Sequence, residues 1–310
     1  QEFKPDCFGQ ADRIITRKWK ANDVSGNTSE CTEIIFIKRM PLDSVVFPVN
    51  FDGLQAPFFE CGDTFPVLTN GNPSPDTTGI PGIGFCGHLQ YQYSDIVFAE
   101  CGNSFKIARN WFVIDWCTSS SRSINQLIYI KDTRAPEIVS QDTIHLVTDP
   151  YSCNTAQIAV PDLILATDCS EFTTTYKLKR LSGENYNDKI VFVNNKYYFK
   201  SLPQGVYNLE YISQDLCNNT SVDTSIVIVS DKTAPYTVCK EHTAVTLDNT
   251  GNGRVFAASF DNGSSDNCAI DNFKVRRMQA ACGRNDDWAD YVDFCCADIG
   301  TTQMVVFQVT

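Results

Sequence analysis

Ile128-Tyr129-Ile130-Lys131-Asp132-Thr133-Arg134-Ala135-Pro136 is an aliphatic run closed by an Asp and then an Ala-Pro pair. It returns 99 residues later as Ile228-Val229-Ser230-Asp231-Lys232-Thr233-Ala234-Pro235. A degraded copy, Ile35-Phe36-Ile37-Lys38-Arg39-Met40-Pro41, lies 93 residues upstream of the first. Self-similarity at a fixed period marks a tandem array, here of modules of roughly 90 to 100 residues, each long enough for one small core.

Working outward from these runs, the hydrophobic pattern has period two. Ile107, Arg109, Trp111 and Val113 share one face of the stretch 107–115, and the stretch 221–228 alternates in the same way. Turn signals separate such runs: Val24-Ser25-Gly26-Asn27, Asn70-Gly71-Asn72-Pro73, Cys217-Asn218-Asn219 and Asn249-Thr250-Gly251-Asn252-Gly253. Short strands with frequent turns predict an all-β fold in which each module is a sandwich of two antiparallel sheets. Superposition on the Ala-Pro runs predicts boundaries near 38, 131 and 230. The expected domains are 1–38, the closing hairpin of a module; 39–131 and 132–230, two modules; and 231–310, a module without its final strand. Two readings of that register stay open: a window on a longer polypeptide, or subunits joined end to end, with the strand 31–38 of one completing the sandwich 231–310 of the next.

The net charge of -12 and pI near 4.7 argue against nucleic acid or anionic lipid as a partner, since either needs a basic patch whose cations replace counterions, and membrane insertion is not expected because no apolar stretch approaches the roughly 20 residues needed to span a bilayer. Fourteen cysteines beside three isolated histidines (His88, His145, His242), with no Cys-x2-Cys knuckle, point to disulfides and an extracellular setting rather than to zinc.

The hairpins 15–31 and 107–117, the segment Asp261-Asn262-Gly263-Ser264-Ser265-Asp266-Asn267-Cys268 and the strand Phe294-Cys295-Cys296-Ala297-Asp298 resemble hyalin-repeat (HYR) and related immunoglobulin-like modules. The resemblance is closest to arrays in very large surface proteins of Bacteroidota, among them relatives of Saprospira. It departs at Arg39-Met40-Pro41, which replaces the Asp-x-Thr-Ala-Pro linker, and at Ser25, where the hairpin motif usually has Cys. It implies non-enzymatic cell-surface stalks, adhesins or filaments exported by the type IX route. It further implies that Cys239, on a first strand, pairs with a final-strand Cys such as Cys31, and that Ser44, Thr143 and the looser Thr77 are O-glycan candidates.

Analogy between modules predicts the bridges Cys86–Cys117 and Cys169–Cys217, with Cys61–Cys101 by elimination. Cys295 and Cys296, adjacent on a strand, take Cys268 and Cys282 in an order left open. Cys7, Cys31, Cys153 and Cys239 remain over; a Cys31 to Cys239 bridge between subunits is one expectation. Asp115, Asp132, Asp215 and Asp231 near the junctions are candidate Ca2+ ligands, against the reading that they only form turns. Asn27, Asn218 and Asn262 head sequons in turns.

An enzyme is not expected: Cys101 or Cys282 with His88 or His242 would be a nucleophile and base only if the thiol were free. Trp19 and Trp111, at matching strand positions, read as core. The tract 58–85, with Phe58, Phe59 and Phe65 and several Gly and Pro residues, is a candidate contact loop. The expected function is a structural segment of a surface filament or adhesin stalk, with neighbouring modules or copies of itself as partners. The alternative is carbohydrate or ligand binding through loop 58–85, with surface glycans as partners.

Overall fold

In a computed structural model, residues 2–3, 7, 11–83, 88–279, 282 and 287–310 are described. The chain is almost entirely strand and turn, and among the described residues its one α-helical turn, Pro75–Thr78, is capped by the Ser74 hydroxyl. Among the described residues no helix is long and apolar enough to cross a membrane.

The first sheet holds β1 (Glu2–Phe3), β2 (Ala11–Asn22) and β3 (Thr28–Lys38), with β2 between the other two. The β2–β3 turn is set by Asp23, whose carboxylate accepts the amides of Ser25 and Asn27. Expected there as core, Trp19 is instead 55% exposed. Among the described residues no second layer covers that face, and the indole donates to Glu33.

The second sheet is ordered β4 (Phe59–Glu60), β7 (Ser120–Lys131), β6 (Phe105–Asp115), β5 (Leu89–Ala99). Strands β5, β6 and β7 are antiparallel, but β4 runs parallel to β7, with Phe59 opposite Ile130. Along β6 the inward residues Ile107, Arg109, Trp111 and Val113 are wholly buried. The opposing layer is irregular, built from loops over 40–83 with the isolated bridges Val46 to Gly82 and Val67 to Pro73. Its polar core is closed: the Trp111 indole donates to Gln126, whose amide donates to the carbonyls of Val49 and Thr78. Arg109 lies in the same core, forked onto Asp95 at 2.8 and 2.9 Å and donating to Thr78 and Pro73.

Residues 137–230 carry β8 (Glu137–Val139), β9 (Thr143–Val147), β10 (Ile158–Ala159), β11 (Leu165–Thr167), β12 (Phe172–Arg180), β13 (Ile190–Val193), β14 (Lys196–Phe199), β15 (Gly205–Asp215) and β16 (Thr220–Ser230). One sheet is ordered β12-β15-β16-β9 and the other β10-β14-β13, with β8 and β11 as a separate pair. Here too the pairing to the last strand is parallel, Leu146 opposite Val229. Leu178, Phe199, Tyr207, Leu209, Tyr211 and Val227 form the core, and the phenol hydroxyls of Tyr207 and Tyr211 donate to the carbonyls of Pro203 and Pro161.

In the last segment β17 (Asn252–Phe256) pairs with β19 (Tyr291–Cys295), and β18 (Phe273–Arg277) with β20 (Val305–Val309). Phe260, Val275, Val292 and Phe294 lie between them. Buried Arg277 closes this core, forked onto Asp298 and bonded to Gln303.

These sheets are disulfide-stapled immunoglobulin-like β-sandwich units in tandem. By compactness the chain divides in two: 1–137 with 167–173 and 213–221, and 138–166 with 174–212 and 222–310. The first unit thus takes in the β15–β16 turn and the approach to β12, because covalent bonds hold them there.

Candidate functional site: the bridged module junction

Four of the five disulfides among the described residues span slightly more than one period: Cys7–Cys117, Cys61–Cys169, Cys101–Cys217 and Cys153–Cys268, separated by 110, 108, 116 and 115 residues. Each lies within one compact unit. The predicted pairings Cys61–Cys101 and Cys169–Cys217 are therefore corrected, and Cys117 joins Cys7, leaving Cys86 outside the described residues. The reason is geometric. The cysteines sit on turns and strand ends, where the nearest cysteine belongs to the adjoining module, and Cα separations of 4.4 to 5.8 Å suit a bridge. Cys7 and Cys153, read as left over, are used.

Two kinds of bridge recur. Cys7 stands four residues before β2 and Cys101 four before β6, and each meets a cysteine two residues beyond the last Asp of the next hairpin's first strand, Cys117 after Asp115 and Cys217 after Asp215. That Asp makes the turn, accepting the Cys117 amide at 2.9 Å and the Cys217 amide at 2.7 Å. The other kind joins a cysteine following a parallel edge strand, Cys61 after β4 or Cys153 after β9, to an Asp-headed turn, Asp168-Cys169 or Asp266-Asn267-Cys268.

In the last segment Cys295 pairs with Cys282 rather than with Cys268, which belongs to Cys153. Cys296 begins a 3-10 turn, lies exposed and points its thiol toward the Gly251 carbonyl. Cys31, Cys239 and Cys296 carry free, exposed thiols. Because Cys101 and Cys282 are both bridged, neither is a nucleophile for His88 or His242.

Beside the Cys61–Cys169 and Cys101–Cys217 bridges, carboxylate oxygens of Asp132, Asp168 and Asp215 lie within 4.8 Å of one another. Asp132 and Asp215 are buried. The Ser170 hydroxyl donates to Asp132, the Asn219 amide to Asp215, and the Ser104 hydroxyl accepts the Asp132 backbone amide. None of the three pairs with a Lys, Arg or His among the described residues. One Asp168 oxygen accepts the Cys169 amide, and the other is buried without a partner. Burial foremost, and then the charges of Asp132 and Asp215, hold the Asp168 carboxyl above its ordinary pKa. An orphaned, desolvated carboxylate oxygen facing two others is a donor set that fits a hard divalent cation.

Of the candidate ligands, Asp132 and Asp215 come together here and Asp115 and Asp231 do not. Asp115 sits 4.0 Å from buried His88, and Asp231 binds the Thr148 hydroxyl and the Thr233 amide. Asp168 was missed, although its place beside Cys169 in a turn was a signal. Ser44, Asn27, Asn218 and Asn262 are exposed, whereas Thr77 and Thr143 are partly buried. In loop 58–85, Phe59 stacks on Phe51, meets Phe65 at a tilt and packs into the sheet core, while residues 84–87 lie outside the described ones.

The architecture defines a class, tandem β-sandwich arrays with covalently bridged junctions. No protein-family model matches the chain, and neither does any curated protein. Among solved structures it is similar to protocadherin gamma B2 extracellular cadherin domains 3–6 (11% identity, TM-score 0.33, 96% of this chain and 79% of that one). It is also similar to the four N-terminal immunoglobulin domains of Dscam1 isoform 6.44 (12% identity, TM-score 0.34, 95% and 62%). Against the protocadherin gammaB4 extracellular domain it spans 41% of the length, at TM-score 0.27 and 14% identity. The fold assignment rests on the strand pairing described above.

Proposed function

We propose that the chain is a non-enzymatic, extracellular, load-bearing array, a segment or subunit of a cell-surface filament or adhesin stalk, as its resemblance to HYR-like Bacteroidota modules implies. The observation that carries this reading is the one-period offset of the bridges. The shortest covalent route from Gln1 to Thr310 uses Cys7–Cys117, Cys101–Cys217 and Cys282–Cys295 as shunts. It follows residues 1–7, 117 back to 101, 217–282 and 295–310, roughly a third of the backbone, so the bridges shield the other two thirds from tension. At about 3.4 Å per residue the oxidised chain extends to about 35 nm and the reduced chain to about 105 nm.

Single-molecule extension of the full chain, pulled from its ends with and without reductant, tests the reading. A threefold gain on reduction is expected, and equal lengths would sink it. Neighbouring modules are the first partners, and copies of the chain joined by strand complementation the second.

A Ca2+ ion on Asp132, Asp168 and Asp215 stiffens the junction in this proposal. Calorimetric titration of the full chain checks it: saturable Ca2+ binding lost in Asp168→Asn and kept in Asp231→Asn is expected. The alternative reading, ligand binding by loop 58–85, is favoured by a cleft of about 430 Å3 beside the Cys61–Cys169 bridge, lined by Asp63, Phe65, Asn103 and Phe105. A glycan-binding screen with saturable binding lost in Phe65→Ala would support it.

A further inference from the structure

Strand β5 is an edge strand, bonded to β6 on one side, and among the described residues nothing pairs with its other side. It is 11 residues long, Leu89-Gln90-Tyr91-Gln92-Tyr93-Ser94-Asp95-Ile96-Val97-Phe98-Ala99, in continuous register with β6 and without a Pro, Gly, Lys or Arg. Its single charge, Asp95, is neutralised by the Arg109 fork. Apolar side chains are exposed on both of its faces: Tyr91, Tyr93 and Val97 on the face that carries Trp111, and Ile96 and Phe98 on the other.

A long, flat, uncharged edge is a template for a further strand, and proteins ordinarily guard such edges with lysines, prolines or a covering loop. The next module has two of these guards at the equivalent place. There β12 is the edge beside β15, as β5 is beside β6, and it carries Lys177, Lys179 and Arg180. Residues 184–187 also cover its outer side: the Arg180 amide donates to the Glu184 carbonyl, the Tyr186 amide to the Leu178 carbonyl, and the Leu178 amide to the Asn187 side chain. The other edge as long as β5 is β3, which carries Glu30, Glu33 and Lys38.

The ladder fixes which backbone groups of β5 are free. The Trp116 amide donates to the His88 carbonyl, and 88 opposite 116 continues the β5–β6 register. Hydrogen-bonded pairs alternate in an antiparallel ladder, so residues 90, 92, 94, 96 and 98 bond to β6. The amides and carbonyls of Leu89, Tyr91, Tyr93, Asp95, Val97 and Ala99 point outward.

We propose that this edge takes β5 of a second copy, antiparallel about a two-fold axis at Ser94, so that two four-stranded sheets become one. In that register all of β5 pairs. Tyr91 lies opposite Val97, Gln92 opposite Ile96 and Tyr93 opposite Asp95, and aromatic and β-branched residues are favourable cross-strand partners. Charge selects the meeting place: a chain of net charge -12 repels its copies over most of its surface, whereas at β5 two copies meet without a net like charge. The strand is about 36 Å long and its edge about 10 Å thick, so a pair covers about 700 Å2. That is below the about 1,200 Å2 of a stable interface, which makes the contact reversible. It is also lateral, and stands apart from the load-bearing reading, which concerns one chain pulled from its ends.

Sedimentation of the full chain tests the pairing, with Cys31→Ser, Cys239→Ser and Cys296→Ser removing the exposed thiols. The weight-average mass is expected to rise with concentration from 34.6 kDa toward twice that value. The association constant gains at least about threefold between about 0.02 and about 0.3 M salt, as repulsion between copies is screened. Val97→Pro, which removes an outward amide and no bond to β6, and Ile96→Lys, on the outer face, each lower it at least about tenfold. Leu181→Lys, at an exposed site of the next module, does not. Hydrogen exchange slows with concentration at the amides of Tyr91, Tyr93 and Val97. For the register, Ser94→Cys faces its own copy at a Cα separation of about 4.5 Å. With oxidised glutathione it cross-links at least about tenfold faster than Gln92→Cys, whose copy lies about 14 Å along the strand. A monomer up to about 1 mM, association that survives both β5 variants, association weakened by salt, or equal cross-linking rates would overturn the proposal. A threefold extension on reduction of a single tethered chain would then leave the load-bearing reading standing.

Discussion

Strands β2 and β6 have the same design and different fates. Each opens a hairpin closed by an Asp-headed turn, each carries an arginine and then a tryptophan on one face, and each follows four residues after a bridged cysteine. Yet Trp111 and Arg109 are wholly buried, whereas Trp19 is 55% exposed and Arg17 is exposed. The motif specifies a strand, its turn and its register; burial depends on what lies across from it. Around β6 that is the layer 40–83, which also supplies the Pro73 and Thr78 acceptors that make a buried guanidinium tolerable.

Substitutions measure that difference directly. Arg109→Ala leaves Asp95 a buried, unpaired charge and costs about 3–5 kcal/mol, while Arg17→Ala on the open hairpin stays within about 0.5 kcal/mol. Denaturant unfolding followed by hydrogen exchange at β6 checks both, and equal effects would contradict the comparison. Trp111→Ala costs about 3–5 kcal/mol by cavity formation and loss of the Gln126 bond, and Trp19→Ala is near neutral by the same measurement. Replacing Cys101 and Cys217 together by Ser is expected to cost about 2–4 kcal/mol, since the bridge closes a loop of over a hundred residues. Removing Cys282–Cys295, with a separation of 13, costs less on that account, and thermal melts of the two double variants give the order.

The smallest effect is one of pH. Asp168 has a native pKa held above its ordinary value, so its ionised form disfavours folding. That stability is full below pH about 3.8 and falls as pH rises through the native pKa. Asp168→Asn is therefore more stable than the parent at neutral pH without Ca2+, and the gain shrinks as pH falls. A gain that grows on acidification would contradict the assignment. Asp95 has the opposite sign: burial alone would raise its pKa, but the bonds from Arg109 and Asn72 lower it overall, and its contribution is lost in acid.

The repeat, the strand content and the turns were readable because each rests on local chemistry: period-two alternation, Asx turns at Asp115 and Asp215, Ala-Pro at the end of a final strand. The parallel pairing of β4 to β7 and β9 to β16 was not, since the edge strands are short and their residues lie 71 and 83 positions from their partners in sequence. Disulfide partners were misread for a related reason. Superposing modules identified the equivalent cysteines, but equivalence states which cysteines play the same role, and a bridge joins different roles at a junction. Cys61 lies nearer in sequence to Cys101, yet Cys169 is the cysteine 5.8 Å away by Cα. The turn beside Cys169 marked Asp168 only weakly as a site residue, because its two carboxylate neighbours arrive from the ends of distant strands, Asp132 just after β7 and Asp215 at the end of β15.

The one-period covalent register is the central claim, and peptide mapping of the unreduced chain tests it most directly. Proteolysis followed by mass spectrometry is predicted to return Cys61–Cys169, Cys101–Cys217 and Cys153–Cys268. Recovery of Cys61–Cys101 with Cys169–Cys217 would contradict it.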